Sequence, residues 1–413
     1  MKGQPPLVGG RLPGVHLEYT WRSILAPRVH LVPRWPGRLA GVLVAVALVA
    51  LGARFGTDDN TSGLALIVPS HLRPGSTCGI GTISGAGSTF VQTILQEWIS
   101  GYQRACPRAT INYQGAGSGA GIQQLTAQTV GFAASDVVMT PTELRSAQAH
   151  GGPVLEIPWA AGGVAVEYHL EGVHHLRLRP RTLAGIFAGT ITKWSEPAVQ
   201  ADNPGTALPA EGIQVVHRSD GSGTTAAFTR YLAAAAPSLW KAGSGKEVAW
   251  PTGQGAKGSD QVTAAVEQSE GAIGYAEVAY AKATGLGITQ IENPAGHFVG
   301  PSANAVSAAL QSATASGGKD GDSQVGTGAG QTSGAGTTQL SPLPGGPAAY
   351  PISTLTWVMV YTRQPDARQA ALLSSFLTYA LGPGQVATRP LFYAPLPPSL
   401  LAADRAALAR VVP

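Results

Sequence analysis

The stretch His217-Arg218-Ser219-Asp220-Gly221-Ser222-Gly223-Thr224-Thr225 lies between an apolar, strand-like segment, Ile213 to Val216, and an amphipathic segment, Ala226 to Leu232. It predicts a turn that joins a strand to a helix, which is the repeating unit of α/β folds. A helix start carries free backbone N–H groups and a partial positive charge. Hydroxyl groups and glycines at this point, with Arg218 just upstream, indicate an anion-binding site.

Segments typical of strands and helices alternate from about Cys78 onwards. Ile80 to Ser84 and Thr110 to Tyr113 predict strands, and the segment from Phe90 to Tyr102 carries apolar residues at helical spacing. Thr140-Pro141-Thr142-Glu143 has the pattern of a capping box with proline at the first helical position, so another helix is expected there. The alternation predicts an α/β fold with largely parallel sheets.

Composition and charge limit the classes of function. A chain of 413 residues can form two lobes that each bury a core. Charged residues make up only 12% of the chain, and the formal net charge is +4. Residues 1–38 hold six basic residues and one acidic residue, so the rest of the chain carries a net charge of about −1. The sequence therefore does not favour a nucleic-acid-binding protein.

The N-terminal region predicts export. The uncharged, mostly aliphatic run from Leu39 to Ala53 follows the basic lead-in, and as a helix it would reach about 22 Å, short of the roughly 30 Å of a bilayer core. This is more typical of a signal peptide than of a stable membrane span. We therefore interpret residues 1–56 as a lead-in with a signal or anchor segment (apolar part 39–53) and residues 57–78 as a tether. Cleavage of the segment and its retention as a membrane anchor both stay open.

The two cysteines, Cys78 and Cys106, each stand just before a predicted strand. If those strands are parallel neighbours, their entry loops are adjacent, and a disulfide is geometrically reasonable in an exported protein. The alternative is a pair of unrelated thiols. Two isolated cysteines do not match the usual ligand sets of a metal site.

Four loops share one chemistry. Gly85 to Phe90, Gln114 to Gly119 and His217 to Thr225 each join a strand to a helix, and Ala133 to Asp136 ends a further strand. Ligands collect beyond the carboxyl ends of strands in open α/β sheets. Each loop alone has a simpler explanation, because a serine or threonine in such a turn often serves only as an N-cap, as Ser88 or Thr89 would here. Together the loops supply hydroxyls, one cation and two acids: Thr89, Ser118, Ser222, Thr224, Arg218, Asp136 and Asp220.

Asp136 is unexpected in an anion site, because a carboxylate repels an anion. The conflict disappears if the anion has a proton to donate, as hydrogen phosphate does and sulfate at neutral pH does not. A site that hydrogen-bonds a specific OH can reject an analogue without it by about 10⁴- to 10⁵-fold. The alternative is that Asp136 is only a turn or cap residue ahead of the helix at Pro141. Asp220, two residues after Arg218, is expected to orient the guanidinium group.

These motifs resemble those of a known family, the substrate-binding protein of the bacterial ABC phosphate importer. The resemblance extends from about residue 79 to Tyr393-Ala394-Pro395-Leu396-Pro397 and beyond. It is carried by Gly85 to Phe90, Tyr113 to Gly121, Phe132 to Asp136, Arg218 to Thr224, Gly271 to Tyr275 and Tyr350 to Thr356.

The resemblance implies an α/β, two-lobed type II periplasmic-binding-protein fold with phosphate in the cleft between the lobes. One lobe would be residues 79–164 plus 352–413, and the other residues 165–351, with a flexible Gly/Ser-rich insertion at about 312–347. The resemblance also implies an exported monomer that delivers inorganic phosphate to the permease subunits of an ABC importer, with neither cofactor nor metal.

Carried over by position, the resemblance assigns a role to each candidate residue. Asp136 would accept the ligand proton, and Arg218, held by Asp220, would pair with the anion. The hydroxyl and amide donors would come from Thr89, Phe90, Ser118, Ser222, Gly223 and Thr224. Two features depart from the family. Arg54-Phe55-Gly56 stands where many Gram-positive relatives have a lipoprotein cysteine, and the insertion is unusually long.

An enzyme is not expected. Neither Ser118 nor Ser222 has the Gly-x-Ser-x-Gly context of a nucleophile elbow, no phosphate-binding loop of the Gly-x4-Gly-Lys-Ser/Thr type occurs, and the nine histidines show no metal-ligand spacing. Gly115-x-Gly117-x-x-Ala120 only weakly resembles a dinucleotide fingerprint. The remaining alternatives are a binding protein for sulfate, molybdate or tungstate, and a phosphate sensor without a transport role.

Overall fold

The structure is a computed structural model that describes residues 78–316 and 340–413. The predicted lead-in and signal or anchor segment (1–56), and all of the tether except residue 78, lie outside the described residues. None of the described helices is long and apolar enough to cross a membrane.

Strands and helices alternate through most of the described chain, as predicted. The strands are β1 (Gly81–Gly87), β2 (Ala109–Gly115), β3 (Phe132–Ser135), β4 (Val154–Tyr168), β5 (Arg177–Leu178), β6 (Gln214–Arg218), β7 (Gln254–Ala256), β8 (Ala272–Glu277), β9 (Gly287–Ile288), β10 (Gln290–Glu292), β11 (Phe298–Val299) and β12 (Ser353–Tyr361). The α-helices are α1 (Gln92–Ala105), α2 (Ser118–Thr126), α3 (Pro141–Gly151), α4 (Pro180–Phe187), α5 (Pro197–Asp202), α6 (Gly223–Ala235), α7 (Gly258–Glu267), α8 (Val278–Thr284), α9 (Ala303–Ser316), α10 (Ala367–Ala380) and α11 (Pro398–Ala407).

One strand, β4, connects two groups of strands. The main sheet has the order β2-β1-β3-β12-β4-β8-β6-β7, and β9 also pairs with β4. Residues Val154–Gly163 of β4 pair with β12, whereas Val164–Tyr168 pair with β8. We call β2, β1, β3, β12 and Val154–Gly163 the first sheet half, and Val164–Tyr168 with β8, β6 and β7 the second sheet half.

The predicted parallel pairing holds at the strands that lead into the candidate loops. β1 pairs in parallel with β2 and β3, and β6 pairs in parallel with β7 and β8. β12 is antiparallel to both β3 and β4, and β4 is antiparallel to β8 and β9, so the main sheet is mixed and not largely parallel as predicted. β4 and β12 are buried along their whole length, which fits strands covered on both faces by helices. The carboxyl ends of β1, β2 and β3 therefore lie at one edge of the first sheet half.

The predicted disulfide is present. Cys78 and Cys106 are joined, with their Cα atoms 5.4 Å apart. The reason is the parallel register of β1 with β2, which places Gly81 beside Ala109 and so brings the two entry loops together.

Helix starts agree only partly with the sequence. Thr140 and Glu143 form the predicted capping box, in which each side chain accepts a hydrogen bond from the other residue's backbone N–H. At α1 the predicted cap is wrong, because Val91 occupies the N-cap position and no side chain caps the helix. The Ser88 hydroxyl instead accepts a hydrogen bond from the N–H of Phe90 at 3.0 Å.

The expected insertion at 312–347 needs correction at both ends. Helix α9 extends to Ser316, past the expected start of the irregular segment. Leu340 is buried and belongs to the same apolar cluster as Val306 and Leu310, so the end of the segment contributes to the core. Residues 317–339 lie outside the described part of the chain.

Candidate functional site

The four candidate loops contact one another. The loops after β1, β2 and β3 belong to the first half, and the loop after β6 belongs to the second. The N–H of Gly223 donates to Ser118 Oγ at 3.1 Å, and the N–H of Gly119 donates to the carbonyl of Gly221 at 2.8 Å. The structure thus brings together the residues that the sequence predicted.

Asp136 lies at the centre of this arrangement and is fully buried. Its Oδ2 accepts a hydrogen bond from Ser88 Oγ at 2.7 Å, and its backbone N–H donates to Ser118 Oγ at 3.4 Å. Within the described residues, Asp136 Oδ1 and Thr224 Oγ1 are buried and have no hydrogen-bond partner. A buried polar atom without a partner is costly, so both atoms are well suited to meet a ligand.

Burial raises the pKa of Asp136 to about 6. The hydrogen bond from Ser88, the hydroxyls of Thr356 and Thr224 and the positive charge of Arg218 lower the pKa, but by less than burial raises it. Neither threonine hydroxyl forms a hydrogen bond of normal geometry with Oδ1. Above pH 6 the carboxyl group is therefore ionised and can only accept a hydrogen bond.

Arg218 supplies the positive charge of the site and is 3% exposed. Its Nε and Nη2 donate to the two carboxylate oxygens of Asp220 at 2.7 and 2.5 Å, which is the predicted contact in its bidentate form. Burial raises the pKa of Asp220, but the hydrogen bonds and charge of Arg218 hold it below its usual value. The remaining nitrogen, Nη1, donates to Ser259 Oγ at 3.4 Å.

The start of α6 provides donors from the second sheet half. Ser222 is the N-cap of this helix, and its hydroxyl accepts the N–H of Thr225 at 3.1 Å. The Ser222 hydroxyl proton therefore stays available for a further acceptor. A Cβ atom at Gly223 would come within 2.7 Å of Asp136, so only glycine allows α6 to begin this close to the carboxylate.

A second glycine keeps the Arg218 pair in place. Gly117 has φ +91°, a conformation that favours glycine, and a Cβ there would lie 2.2 Å from Asp220 Oδ2. The loop after β2 thus packs directly against the carboxylate that orients Arg218.

Two serines of the site were missed by the sequence reasoning. Ser88 bonds Asp136 directly, and Ser259 contacts Thr89 through both its hydroxyl (3.0 Å) and its backbone N–H (3.1 Å). Ser259 follows Gly258 at the start of α7, just after β7, which is the same strand-to-helix pattern as the recognised loops. The signal for Ser259 was therefore present in the sequence.

Three tyrosines hold the backbone of the loop after β1. Tyr113 and Tyr393 lie in segments that carry the resemblance, but their common contact with this loop was not predicted, because the three tyrosines lie far apart along the chain. Their hydroxyls donate to three successive carbonyls: Tyr113 to Ser88 at 2.8 Å, Tyr280 to Thr89 at 3.0 Å and Tyr393 to Phe90 at 2.5 Å.

The donor set suits an oxyanion better than a metal ion. Over the residues that the structure describes, no group of three or more His, Cys, Asp or Glu side chains is placed to hold a metal. Hydroxyls, amides and one guanidinium surround the Asp136 carboxylate, and the second carboxylate, Asp220, is paired with the guanidinium. This combination can bind an anion that both accepts hydrogen bonds and donates one.

Comparisons with known proteins agree with this chemistry. A family model described as a PBP superfamily domain matches residues 73–383. The phosphate-binding protein PstS of Xylella fastidiosa is 35% identical over 87% of this chain and 93% of its own length. The phosphate-binding protein PstS 3 of Mycobacterium tuberculosis is also 35% identical, over 87% of this chain and 94% of its own length.

Solved structures share the fold. A periplasmic phosphate-binding protein (PfluDING) bound with phosphate superposes with a TM-score of 0.62 at 23% identity, covering 79% of this chain and 93% of its own. The phosphate-binding protein of Stenotrophomonas maltophilia gives a TM-score of 0.58 at 22% identity, with coverage of 79% and 93%. The predicted two-lobed type II periplasmic-binding-protein fold is confirmed. The chain belongs to the phosphate-binding protein family of the PBP superfamily.

Proposed function

We propose that this protein captures inorganic phosphate, as hydrogen phosphate, outside the cytoplasm and delivers it to an ABC-type importer. The single observation that carries the proposal is Asp136 Oδ1, a buried carboxylate oxygen without a partner, which lies among hydroxyl and amide donors. A ligand that brings a proton would give this oxygen the hydrogen bond that it lacks. The names of the relatives, all phosphate-binding proteins, support the same ligand.

Each candidate residue has a role in this proposal. Asp136 accepts the proton of the ligand, and Arg218 balances its negative charge while Asp220 fixes the guanidinium plane. The other phosphate oxygens accept hydrogen bonds from hydroxyls and backbone amides of Thr89, Phe90, Ser118, Ser222, Gly223 and Thr224. The carboxylate enforces selectivity, because a fully deprotonated oxyanion would place an acceptor against Oδ1 in a dry site, where an unpaired acceptor is costly.

In this proposal one lobe comprises residues 79–164 and 352–413, and the other lobe comprises residues 165–351. Two observations support these boundaries. β4 changes its partner from β12 to β8 between Gly163 and Val164, and β12 begins at Ser353. The chain therefore passes from one lobe to the other at two neighbouring places. Such a connection permits one lobe to rotate against the other, with the ligand between them. Water excluded on closure strengthens each hydrogen bond to the ligand.

The further roles follow from the family. The closed, loaded protein, as a monomer, would dock on the permease subunits of the importer, and the N-terminal segment would direct export and could attach the protein to the outer face of the membrane. The protein would neither act as an enzyme nor bind nucleic acid. One structural relative, PfluDING, is a periplasmic protein.

Calorimetry of the purified protein with phosphate and with sulfate at pH 8 tests the proposal. We expect heat of binding with phosphate and at least about 10⁴-fold weaker binding of sulfate. Equal affinities would indicate a general oxyanion receptor. Binding of sulfate, molybdate or tungstate but not phosphate would refute the proposal. Normal phosphate import in a strain that lacks the gene would indicate a sensor, whereas impaired import would indicate a transport component.

A further inference from the structure

Thr89 is bonded from the opposite sheet half at two points. Its carbonyl accepts the hydroxyl of Tyr280, and its side-chain oxygen accepts the N–H of Ser259. Thr89 follows β1 in the first sheet half. Tyr280 lies in α8 and Ser259 in α7, helices that pack on β8 of the second half.

The hydrogen bond from Tyr280 differs in one respect from the hydrogen bond that Tyr113 makes to the same loop. Tyr113 binds the preceding carbonyl, of Ser88, by the same kind of hydroxyl bond, but Tyr113 lies in β2 of the first half. Tyr113 and Ser88 would therefore move together when the lobes rotate. The Tyr280 bond joins the two halves and would break when they separate.

Ser259 connects Thr89 to Arg218, which supplies the positive charge of the site. Its hydroxyl is fully buried between Thr89 Oγ1 at 3.0 Å and Arg218 Nη1 at 3.4 Å. The arginine nitrogen and the Ser259 N–H can only donate. The Ser259 oxygen therefore accepts from Arg218 and the Thr89 oxygen accepts from the Ser259 N–H. One of the two hydroxyl protons lies between the oxygens, and the other is free to point at an anion.

We propose that Tyr280 and Ser259 form an inter-lobe latch on Thr89, which holds the closed state of the cleft and slows the release of phosphate. The inference rests on the proposed function. Both are positioning residues, because Tyr280 acts through Thr89 and Ser259 acts through Thr89 and Arg218. Tyr280 bonds a main-chain carbonyl and makes no hydrogen bond to Asp136, so loss of its hydroxyl should shift closure without changing the choice of anion.

The test compares Tyr280→Phe with Tyr113→Phe in the full chain. Each change removes a tyrosine hydroxyl that bonds a backbone carbonyl of the same loop, that of Thr89 or of Ser88. Only Tyr280→Phe removes a hydrogen bond between the lobes. Stopped-flow release of phosphate, calorimetry with phosphate and sulfate, and small-angle X-ray scattering with and without phosphate are measured on both variants and on the wild type.

We expect Tyr280→Phe to release phosphate about five- to tenfold faster than the wild type, as expected for one lost hydrogen bond, and to show a larger radius of gyration at subsaturating phosphate. Its phosphate-to-sulfate preference stays unchanged. Tyr113→Phe lowers thermal stability but leaves the closed fraction as in the wild type. Ser259→Ala keeps the backbone N–H and is expected to accelerate release less than Tyr280→Phe. It serves as the test variant if Tyr280→Phe does not fold.

The outcomes separate the two proposals. A wild type that binds no phosphate overturns the proposed function and the latch with it. A wild type that binds phosphate, with Tyr280→Phe as closed as Tyr113→Phe and no faster in release, overturns the latch alone. A change in the phosphate-to-sulfate preference of Tyr280→Phe would also contradict a purely positioning role.

Discussion

Lowering the pH should allow the wild-type protein to bind sulfate. Above pH 6 the ionised Asp136 can only accept a hydrogen bond, and sulfate has none to donate. Below pH 6 the carboxyl group is protonated and can donate to a sulfate oxygen. With a pKa of about 6, the protonated fraction rises from about 1% at pH 8 to about 90% at pH 5, so sulfate affinity should increase by about two orders of magnitude.

The matched variant is Asp136→Asn, whose amide can donate at every pH. We expect its sulfate affinity to be nearly constant between pH 5 and pH 8 and well above that of the wild type at pH 8. Its phosphate affinity should fall about 10- to 150-fold, because a charge-assisted hydrogen bond contributes about 1.5–3 kcal/mol.

Calorimetry with sulfate at pH 5, 6, 7 and 8 on both proteins provides the measurement. Sulfate itself does not change protonation in this range, so any pH dependence comes from the protein. A wild-type sulfate affinity that stays constant from pH 8 to pH 5 would refute the role of Asp136 as proton acceptor. So would an Asn variant with an unchanged phosphate-to-sulfate preference.

Three further predictions concern the supports of the site and of the fold. Gly117→Ala should weaken phosphate binding at least about tenfold in calorimetry, because its Cβ would displace Asp220 and so misplace the arginine; affinity equal to the wild type would contradict this. Burial raises the pKa of Glu167 to about 8, well above the ordinary value near 4.5, so its contribution to stability is present below pH 4.5 and is lost as the pH rises to 8. Urea unfolding should therefore show a smaller loss of stability between pH 5 and pH 8 in Glu167→Gln than in the wild type; equal slopes would refute it. Replacing both Cys78 and Cys106 by serine should lower the free energy of unfolding by about 3–4 kcal/mol, the loop entropy for a separation of 28 residues, and an unchanged urea midpoint would argue against this estimate.

The sequence predicted the local elements of the site well, because each one carries its signal in adjacent residues. The glycine- and hydroxyl-rich turns after β1, β2 and β6 lie where they were expected. The capping box of α3 is likewise a local pattern of four residues. The N-cap of α1 was missed because Ser88 turns its hydroxyl to Asp136 and to the loop backbone, a tertiary contact that overrides the local preference.

Other features of the fold and of the site could not be predicted from residues that are neighbours in sequence. The long strand β4 (Val154–Tyr168) supplies both sheet halves, a role that depends on its pairing with β12 and with β8. Because β4 is buried on both faces, it lacks the alternation of apolar and polar residues that marks a strand with one exposed face. The three tyrosines of the loop after β1 lie far apart along the chain, so their common role becomes visible only after folding.

The sequence by itself determined the fold family, the four loops and the unusual presence of an acid among anion-binding groups, because these depend on residue types at short spacing. Tertiary structure alone decided that Asp136 is buried with one oxygen unpartnered, and that Thr89 is bonded from the opposite sheet half. Burial and hydrogen-bond geometry arise from residues that are far apart along the chain, as in the contact of Ser88 with Asp136. These contacts set the pKa of the carboxyl group, and local sequence patterns do not reveal them.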